Sequence, residues 1–181
     1  IIVPTNSNLI NFTMLNNQAL NLTLEKKLYQ LIISRLDGNN IHSHAYSAKL
    51  FQLVEKGIGG FIIFGGKRDE IKEFVNQIQS HAEIPLFIAS DVECGVGQQI
   101  LGTTLLPCQM AIAAAVDKNR PGDISISEDS LKAIAREATD VGINMPLIPV
   151  LDINQNPDNP IVCTRAFSDN PEDVIWFGMK Y

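Results

Sequence analysis

Gly60-Phe61-Ile62-Ile63-Phe64, stopping at Gly65-Gly66, is the stretch whose reading decides the fold. It is continuous, apolar and rich in β-branched and aromatic side chains, and it is too short for a helix. Such a run reads as a parallel strand buried on both faces. Two further runs repeat the pattern: Leu86-Phe87-Ile88-Ala89 after Pro85, ending at Asp91, and Met145 to Leu151, ending at Asp152. Helical periods lie between them. Leu50, Phe51 and Val54 share one face, and Gly57 is placed to end that helix in a left-handed conformation. Ile71, Phe74, Val75 and Ile78 recur at i, i+3, i+4 and i+7, with Asp69 as the expected cap. Ser125 and Glu128 have capping-box spacing ahead of Leu131, Ile134, Ala135, Ala138 and Val141, with Gly142 at the stop.

The two ends of the chain extend this alternation. Thr23 caps a segment in which Leu24, Leu28, Leu31 and Ile32 keep helical spacing. We read it as a short helix passing into a first strand that Asp37-Gly38 ends. Asn170-Pro171-Glu172-Asp173 has the order N-cap, Pro at N1 and acids in the first turn. Residues 1–22, rich in Asn and Ser and without a period, read as an extended leader. Helices alternating with buried strands make an α/β fold, either an open doubly wound sheet or a TIM (β/α)₈ barrel. No G-x-G-x-x-G or Walker glycine pattern follows any strand, so a nucleotide-binding sheet lacks its phosphate cradle. A whole barrel takes roughly 250 residues, so this chain is expected to supply about the first four β/α units of one.

Composition removes other classes. The net charge of −6 and pI near 5.0, with no Lys/Arg cluster, argue against a nucleic-acid partner. No apolar run approaches a membrane span, so no membrane partner is expected. Cys94, Cys108 and Cys163 are odd in number and far apart, which suggests neither a disulfide framework nor a zinc site. That leans towards a reducing, cytoplasmic compartment over secretion without fixing either. Sequons at Asn11 and Asn21 matter only in a secreted, glycosylated protein. No signal peptide is visible, and a start at Ile leaves a removed leader or an incomplete start open.

In parallel α/β folds, chemistry gathers at the C-terminal ends of strands. Three polar clusters lie there. In Ser90-Asp91-Val92-Glu93-Cys94-Gly95-Val96-Gly97-Gln98-Gln99, an extended backbone points Asp91 and Glu93 to one side. They read either as a glycosidase acid pair or as one substrate-binding acid beside one loop anchor. In Asp152-Ile153-Asn154-Gln155-Asn156-Pro157-Asp158-Asn159-Pro160 most side chains serve turns, and Asp152 is the one expected to face the pocket. In Thr164-Arg165-Ala166-Phe167-Ser168-Asp169, Arg165 is either a surface residue or a fixed fork of donors for hydroxyls or a carboxylate. His42-Ser43-His44 has no third ligand nearby in sequence, so a solvated loop outweighs a metal site, and none is expected. His81 falls at a helix end, where it favours the dipole. Ser90 and Cys94 lack a nucleophile elbow or a paired His.

These motifs together resemble glycoside hydrolase family 3. The resemblance is carried by Gly57 to Gly65, by Ile84 to Gly95, by Pro149 to Pro160, and by Arg165-Ala166-Phe167-Ser168-Asp169-Asn170-Pro171. Gly97-Gln98-Gln99, Thr104-Leu105-Leu106-Pro107 and Met110-Ala111 are similar to one branch of it. It implies that residues 23–181 are the N-terminal half of a family barrel domain. The implied activity is that of a retaining exo-acting glycosidase on terminal β-linked N-acetylglucosamine or glucose. By this resemblance Asp91 and Arg165 bind the terminal sugar, while Glu93, Gln99 and Asp152 support them. Cys94 stands where Gly or Arg is usual, and Gln99 where some N-acetylglucosaminidases carry a sugar-binding Arg, so the resemblance does not fix that exact substrate. The family's Lys-His-Phe-x-Gly-His segment, its Asp–His acid/base and its nucleophilic Asp all fall after Tyr181. No catalytic residue, and no cofactor, is therefore expected in these residues; the implied partners are a small carbohydrate and the rest of the barrel. The alternative is a non-catalytic sugar-binding or structural half-barrel.

Overall fold

A computed structural model describes residues 21–156 and 158–181. Thr23 caps the helix that follows it as expected, its hydroxyl accepting the Lys26 N–H at 3.2 Å. This helix, α1 (Leu24–Gln30), leads into strand β1 (Ile33–Asp37). Then follow α2 (His44–Glu55), β2 (Gly60–Phe64), α3 (Arg68–His81) and β3 (Phe87–Asp91). After β3 come a single 3-10 turn (Val96–Gln98), α4 (Gln109–Ala115), the long α5 (Pro121–Asp140) and β4 (Met145–Leu147). A second 3-10 turn (Cys163–Arg165) and α6 (Pro171–Gly178) complete the described chain. Gly57 takes φ +83° after α2, and the Asn170 side chain caps α6 by accepting the Glu172 N–H at 2.9 Å.

Three local expectations are corrected. The helix assigned to an Asp69 cap starts at Arg68, with Lys67 in the cap position; Asp69 and Glu70 occupy its first turn, where their charge still suits the dipole. The helix assigned to a Ser125–Glu128 box starts earlier, at Pro121, whose fixed φ suits the first helical position. Ser125 therefore lies inside α5, and its hydroxyl donates to the Gly122 carbonyl at 2.7 Å. The third strand-like run pairs only over Met145–Leu147, because Pro149 has no N–H to give to a ladder.

The four strands of the described residues are all parallel and lie in chain order, β1-β2-β3-β4. A doubly wound sheet reverses its order at a switch point and takes helices on both faces. Here the order never reverses. Leu36, Phe61, Ile63, Ile88 and Ser90 point to one face and are fully buried, packing with Leu50, Val54, Ile71, Val75, Ile78, Ile134 and Ala138 of the helices. The alternate positions face the other way. Of these, Ile33, Phe87 and Leu147 are 39%, 56% and 37% exposed among the described residues. The expectation of burial on both faces is thus met on one face only. An unreversed parallel sheet with one helical layer is the arrangement of a barrel wall, whose inner face is filled by side chains from other strands.

Strand spacing depends on close approach at Gly60, where a Cβ would lie 2.1 Å from the Phe87 carbonyl oxygen. Gly122, in the first turn of α5, has nothing within 4 Å of a Cβ. The two glycines predict opposite signs. Gly60→Ala is expected to cost about 1–3 kcal/mol or more, as overpacking does. Gly122→Ala is expected to gain up to about 1 kcal/mol by restricting the unfolded chain. Urea midpoints of the two variants check this, and a Gly60→Ala midpoint equal to wild type would contradict the packing described.

Candidate functional site

β3 delivers Asp91 at its C-terminal end, on the same face as Phe87 and Ala89. There the backbone leaves the sheet: Val92 turns into the core, and Glu93 follows with its side chain only 3% exposed. A buried carboxylate needs strong partners. Arg165 supplies them as a fork, Nε donating to Glu93 Oε2 at 2.9 Å and Nη2 to Oε1 at 2.6 Å. Arg165 is itself 45% exposed, so one side of its guanidinium is spent on Glu93 while the rest reaches solvent and, through Nη1, the Ile161 carbonyl at 3.3 Å. Its turn is held from behind: Ala166 and Phe167 are buried, and Phe167 stacks on Phe177 of α6 at 5.0 Å.

The Asp91 carboxylate makes no hydrogen bond to the described residues. Burial pushes its carboxyl above the ordinary Asp range, the nearby Glu93 charge pushes it further, and Arg165 opposes both. The Arg165 guanidinium is held charged chiefly by its hydrogen bonds to Glu93, with the Asp91 and Asp152 carboxylates also within electrostatic reach. The structure thus brings Asp91, Glu93, Asp152 and Arg165 together. Gln99 is half-buried in the same loop, but its side chain bonds none of the described residues; it is Gln98 whose Oε1 accepts the Cys94 N–H, at 2.9 Å. Both Glu93 oxygens accept from Arg165, the arrangement expected of a loop anchor and not of half an acid pair with Asp91.

Neighbouring segments brace this cluster. Gly97 N–H donates to the Thr104 carbonyl at 2.9 Å, and Leu106 N–H to the Cys94 carbonyl at 2.7 Å. Glu137 of α5 accepts from Thr104 twice, from its N–H at 2.8 Å and its hydroxyl at 2.7 Å. The loop after β4 is tied by Asn154 N–H to the Ser168 carbonyl at 3.1 Å. It is tied again by Gln109 of α4, whose amide bonds both the N–H and the carbonyl of Val150 at 3.0 Å. Gln109 and Glu137 had no signal in the sequence, because a buried amide and a helix-face carboxylate look like any others until their loops are placed.

Other candidates fall away from the cluster. Ser90 is fully buried and donates to the Ile63 carbonyl at 3.0 Å. Burial, and then the neighbouring Cys108, raise the Cys94 thiol, the opposite of what an activated nucleophile needs. His42 lies 3.0 Å from Glu70 of α3, and His44 opens α2. His81 ends α3 with its ring edge-on to Phe51. Among the described residues no three His, Cys, Asp or Glu side chains are grouped to hold a metal. No helix of the described residues is long and apolar enough to cross a membrane.

Residues 23–181 match the glycosyl hydrolase family 3 N-terminal domain. A beta-hexosaminidase A of Pseudoalteromonas piscicida is 34% identical over 72% of this chain and 23% of its own length. A beta-N-acetylglucosaminidase/beta-glucosidase of Cellulomonas fimi is 32% identical over 68% of this chain and 21% of its own. The chain thus spans less than a quarter of the length of these curated relatives. Among solved structures, the beta-glucoside phosphorylase BglX bound to 2FGlc superimposes with a TM-score of 0.78 at 26% identity, over 99% of this chain and 31% of that one. A glycoside hydrolase family 3 beta-N-acetylglucosaminidase from Paenibacillus gives 0.74 at 29% identity, over 88% and 30%.

Two measurements probe the cluster. Arg165→Met leaves a buried carboxylate without its partner and is expected to destabilise the protein by about 2–3 kcal/mol, below the fully buried range because Arg165 is half in water. Adding Glu93→Gln should recover part of that loss in a double-mutant cycle. The second measurement is an NMR titration of Asp91. Its pKa should fall on Glu93→Gln, which removes a repelling charge, and rise on Arg165→Met, which removes the attracting one. Since the folded chain holds the Asp91 proton more tightly than the unfolded chain, this group's contribution to stability is complete below the unfolded pKa. It is lost as pH rises through the folded value. Movement of the pKa in either opposite sense would refute the arrangement.

Proposed function

Because the chain belongs to glycosyl hydrolase family 3, we propose that it is the sugar-gripping half of a retaining exo-β-glycosidase. The substrate is a terminal β-linked N-acetylglucosaminyl or glucosyl residue. The observation that carries this reading is an unbonded Asp91 beside an Arg165 whose orientation is fixed by a buried carboxylate. That pair offers an acceptor and a charged donor to adjacent sugar hydroxyls, and neither side chain has to reorganise to do so. In this reading Asp91 accepts from hydroxyls of the terminal sugar and Arg165 donates to them. Glu93 keeps the guanidinium aimed, and Asp152 adds negative charge within its electrostatic reach.

The grip converts attack on the anomeric carbon into a nearly intramolecular step. A carboxylate nucleophile forms a glycosyl-enzyme through an oxocarbenium-like transition state, and an acid/base protonates the leaving oxygen. Both groups belong to residues after Tyr181 in this proposal, since Glu93 is committed to Arg165 and Asp91 to the sugar. A second reading is favoured by the fit to a beta-glucoside phosphorylase over 99% of the chain. In it, phosphate in place of water takes the glycosyl group.

The test uses the full-length gene product with p-nitrophenyl β-N-acetylglucosaminide and β-glucoside, with and without inorganic phosphate. Free sugar is the expected product, and sugar 1-phosphate would select the second reading. Asp91→Asn and Arg165→Lys are each expected to lower kcat/KM by about a hundredfold or more, because the lysine keeps the charge but not the fork. Saturable sugar binding with no release of nitrophenol would instead make the chain part of a non-catalytic binding protein.

A further inference from the structure

Gln109 is fully buried, although it is a polar residue at the first position of a short helix. Both ends of its amide are used on a single residue: Nε2 donates to the Val150 carbonyl at 3.0 Å, and Oε1 accepts the Val150 N–H at 3.0 Å. This two-point ring copies a strand pairing. It sits where the sheet no longer supplies one, because β4 ends at Leu147, and β3 ends at Asp91, which pairs with Leu147. Val150 makes no other hydrogen bond to the described residues. Two residues further on is Asp152, whose carboxylate acts on Arg165. Helix α4 also packs against the Cys163–Arg165 turn. One rigid element therefore touches both the segment that carries Asp152 and the turn that carries Arg165.

We propose that Gln109 is a positioning residue for the sugar site, registering the Asp152 loop against the Arg165 turn. The inference rests on the glycosidase reading and deepens it. Gln109 touches no reacting atom. It acts by fixing where the Asp152 segment stands relative to the Arg165 turn, and so the spacing of the charges that surround the guanidinium. A helix packed without this clamp would leave Val150 with two unpaired backbone groups, and the loop would drift to satisfy them in water.

Three variants of the full-length protein test this against p-nitrophenyl glycosides. Gln109→Met keeps the side chain's length and removes both hydrogen bonds; kcat/KM should fall roughly tenfold to a hundredfold, as for an ångström-scale misplacement, mainly through KM. In a cycle with Asp152→Asn the two losses should not add, because Gln109 acts through Asp152; a merely structural role gives additive losses. Gln109→Glu retains the acceptor and keeps a donor only while its new carboxyl is protonated. Its activity relative to wild type should therefore be highest at acid pH and decline as that carboxyl ionises against the Val150 carbonyl. If Gln109→Met does not fold, this pH ratio decides the matter alone. Additive losses, or a flat ratio of Gln109→Glu to wild type across pH, would overturn the inference. An inactive wild type would overturn the glycosidase reading itself, a distinguishable failure.

Discussion

A carboxylate that is 97% withdrawn from water is the constraint on which the rest of this site depends, since Glu93 exposes only 3% of its side chain. Leaving such a charge unpaired costs several kcal/mol, so the loop after β3 keeps its course only if a cation meets it. Arg165 does so from a segment 72 residues away in sequence. The two hydrogen bonds fix both the distance and the plane of the guanidinium, which a lysine could not do. Because Arg165 cannot move without leaving Glu93 unpaired, its remaining N–H groups point in a direction set by the fold. The Asp91 carboxylate lies within electrostatic reach of this fork and accepts no hydrogen bond from the described residues, so in the proposed reading the two serve as a preorganised acceptor and donor.

What the sequence made legible follows from the range of the interactions involved. The strands Gly60–Phe64 and Phe87–Asp91, the helix face of Ile71, Phe74, Val75 and Ile78, and the caps at Thr23 and Asn170 depend on neighbours within one or two turns. Helix starts at Arg68 and Pro121 were displaced because several residues near each start satisfy the same capping rule. Asp91 and Arg165 could be singled out by their place after a strand or before a cap. That Glu93 would join Arg165 and not Asp91 depended on the chain turning at Val92, and no local pattern encodes this. Periodicity marked Leu24 and Leu28 as a helix face but not where it packs; they are 73% and 55% exposed among the described residues.

The sheet divides its duties between its two faces. The face towards α2, α3 and α5 is closed by fully buried Leu36, Phe61, Ile63 and Ile88, the centre of the larger of two hydrophobic clusters among the described residues. The other face carries Asp91 at the C-terminal end of its strand, in line with apolar Phe87 at the start. A parallel strand thus places the acid and the apolar filling on one surface at a two-residue repeat. In such folds chemistry gathers at the end where the ladder stops, since there a side chain can be polar without interrupting the packing beneath it.

Ends of parallel strands leave N–H and carbonyl groups that the next strand does not reach, and each has to be paired. Three amides solve this problem here. Gln79 bonds both backbone groups of Leu86, at 3.0 and 2.9 Å. Asn144 bonds the Ile88 N–H and the Leu86 carbonyl, at 2.8 and 2.9 Å. Gln109 does the same for Val150. A side-chain amide carries donor and acceptor in one planar group and, unlike a carboxyl or an imidazole, does not change its charge with pH. Neutrality matters most for Gln109, whose helix borders the Arg165 turn. A charged side chain there would shift the balance of Asp91, Glu93 and Asp152 around one guanidinium, whereas an amide fixes the loop and leaves that balance to the four groups that set it.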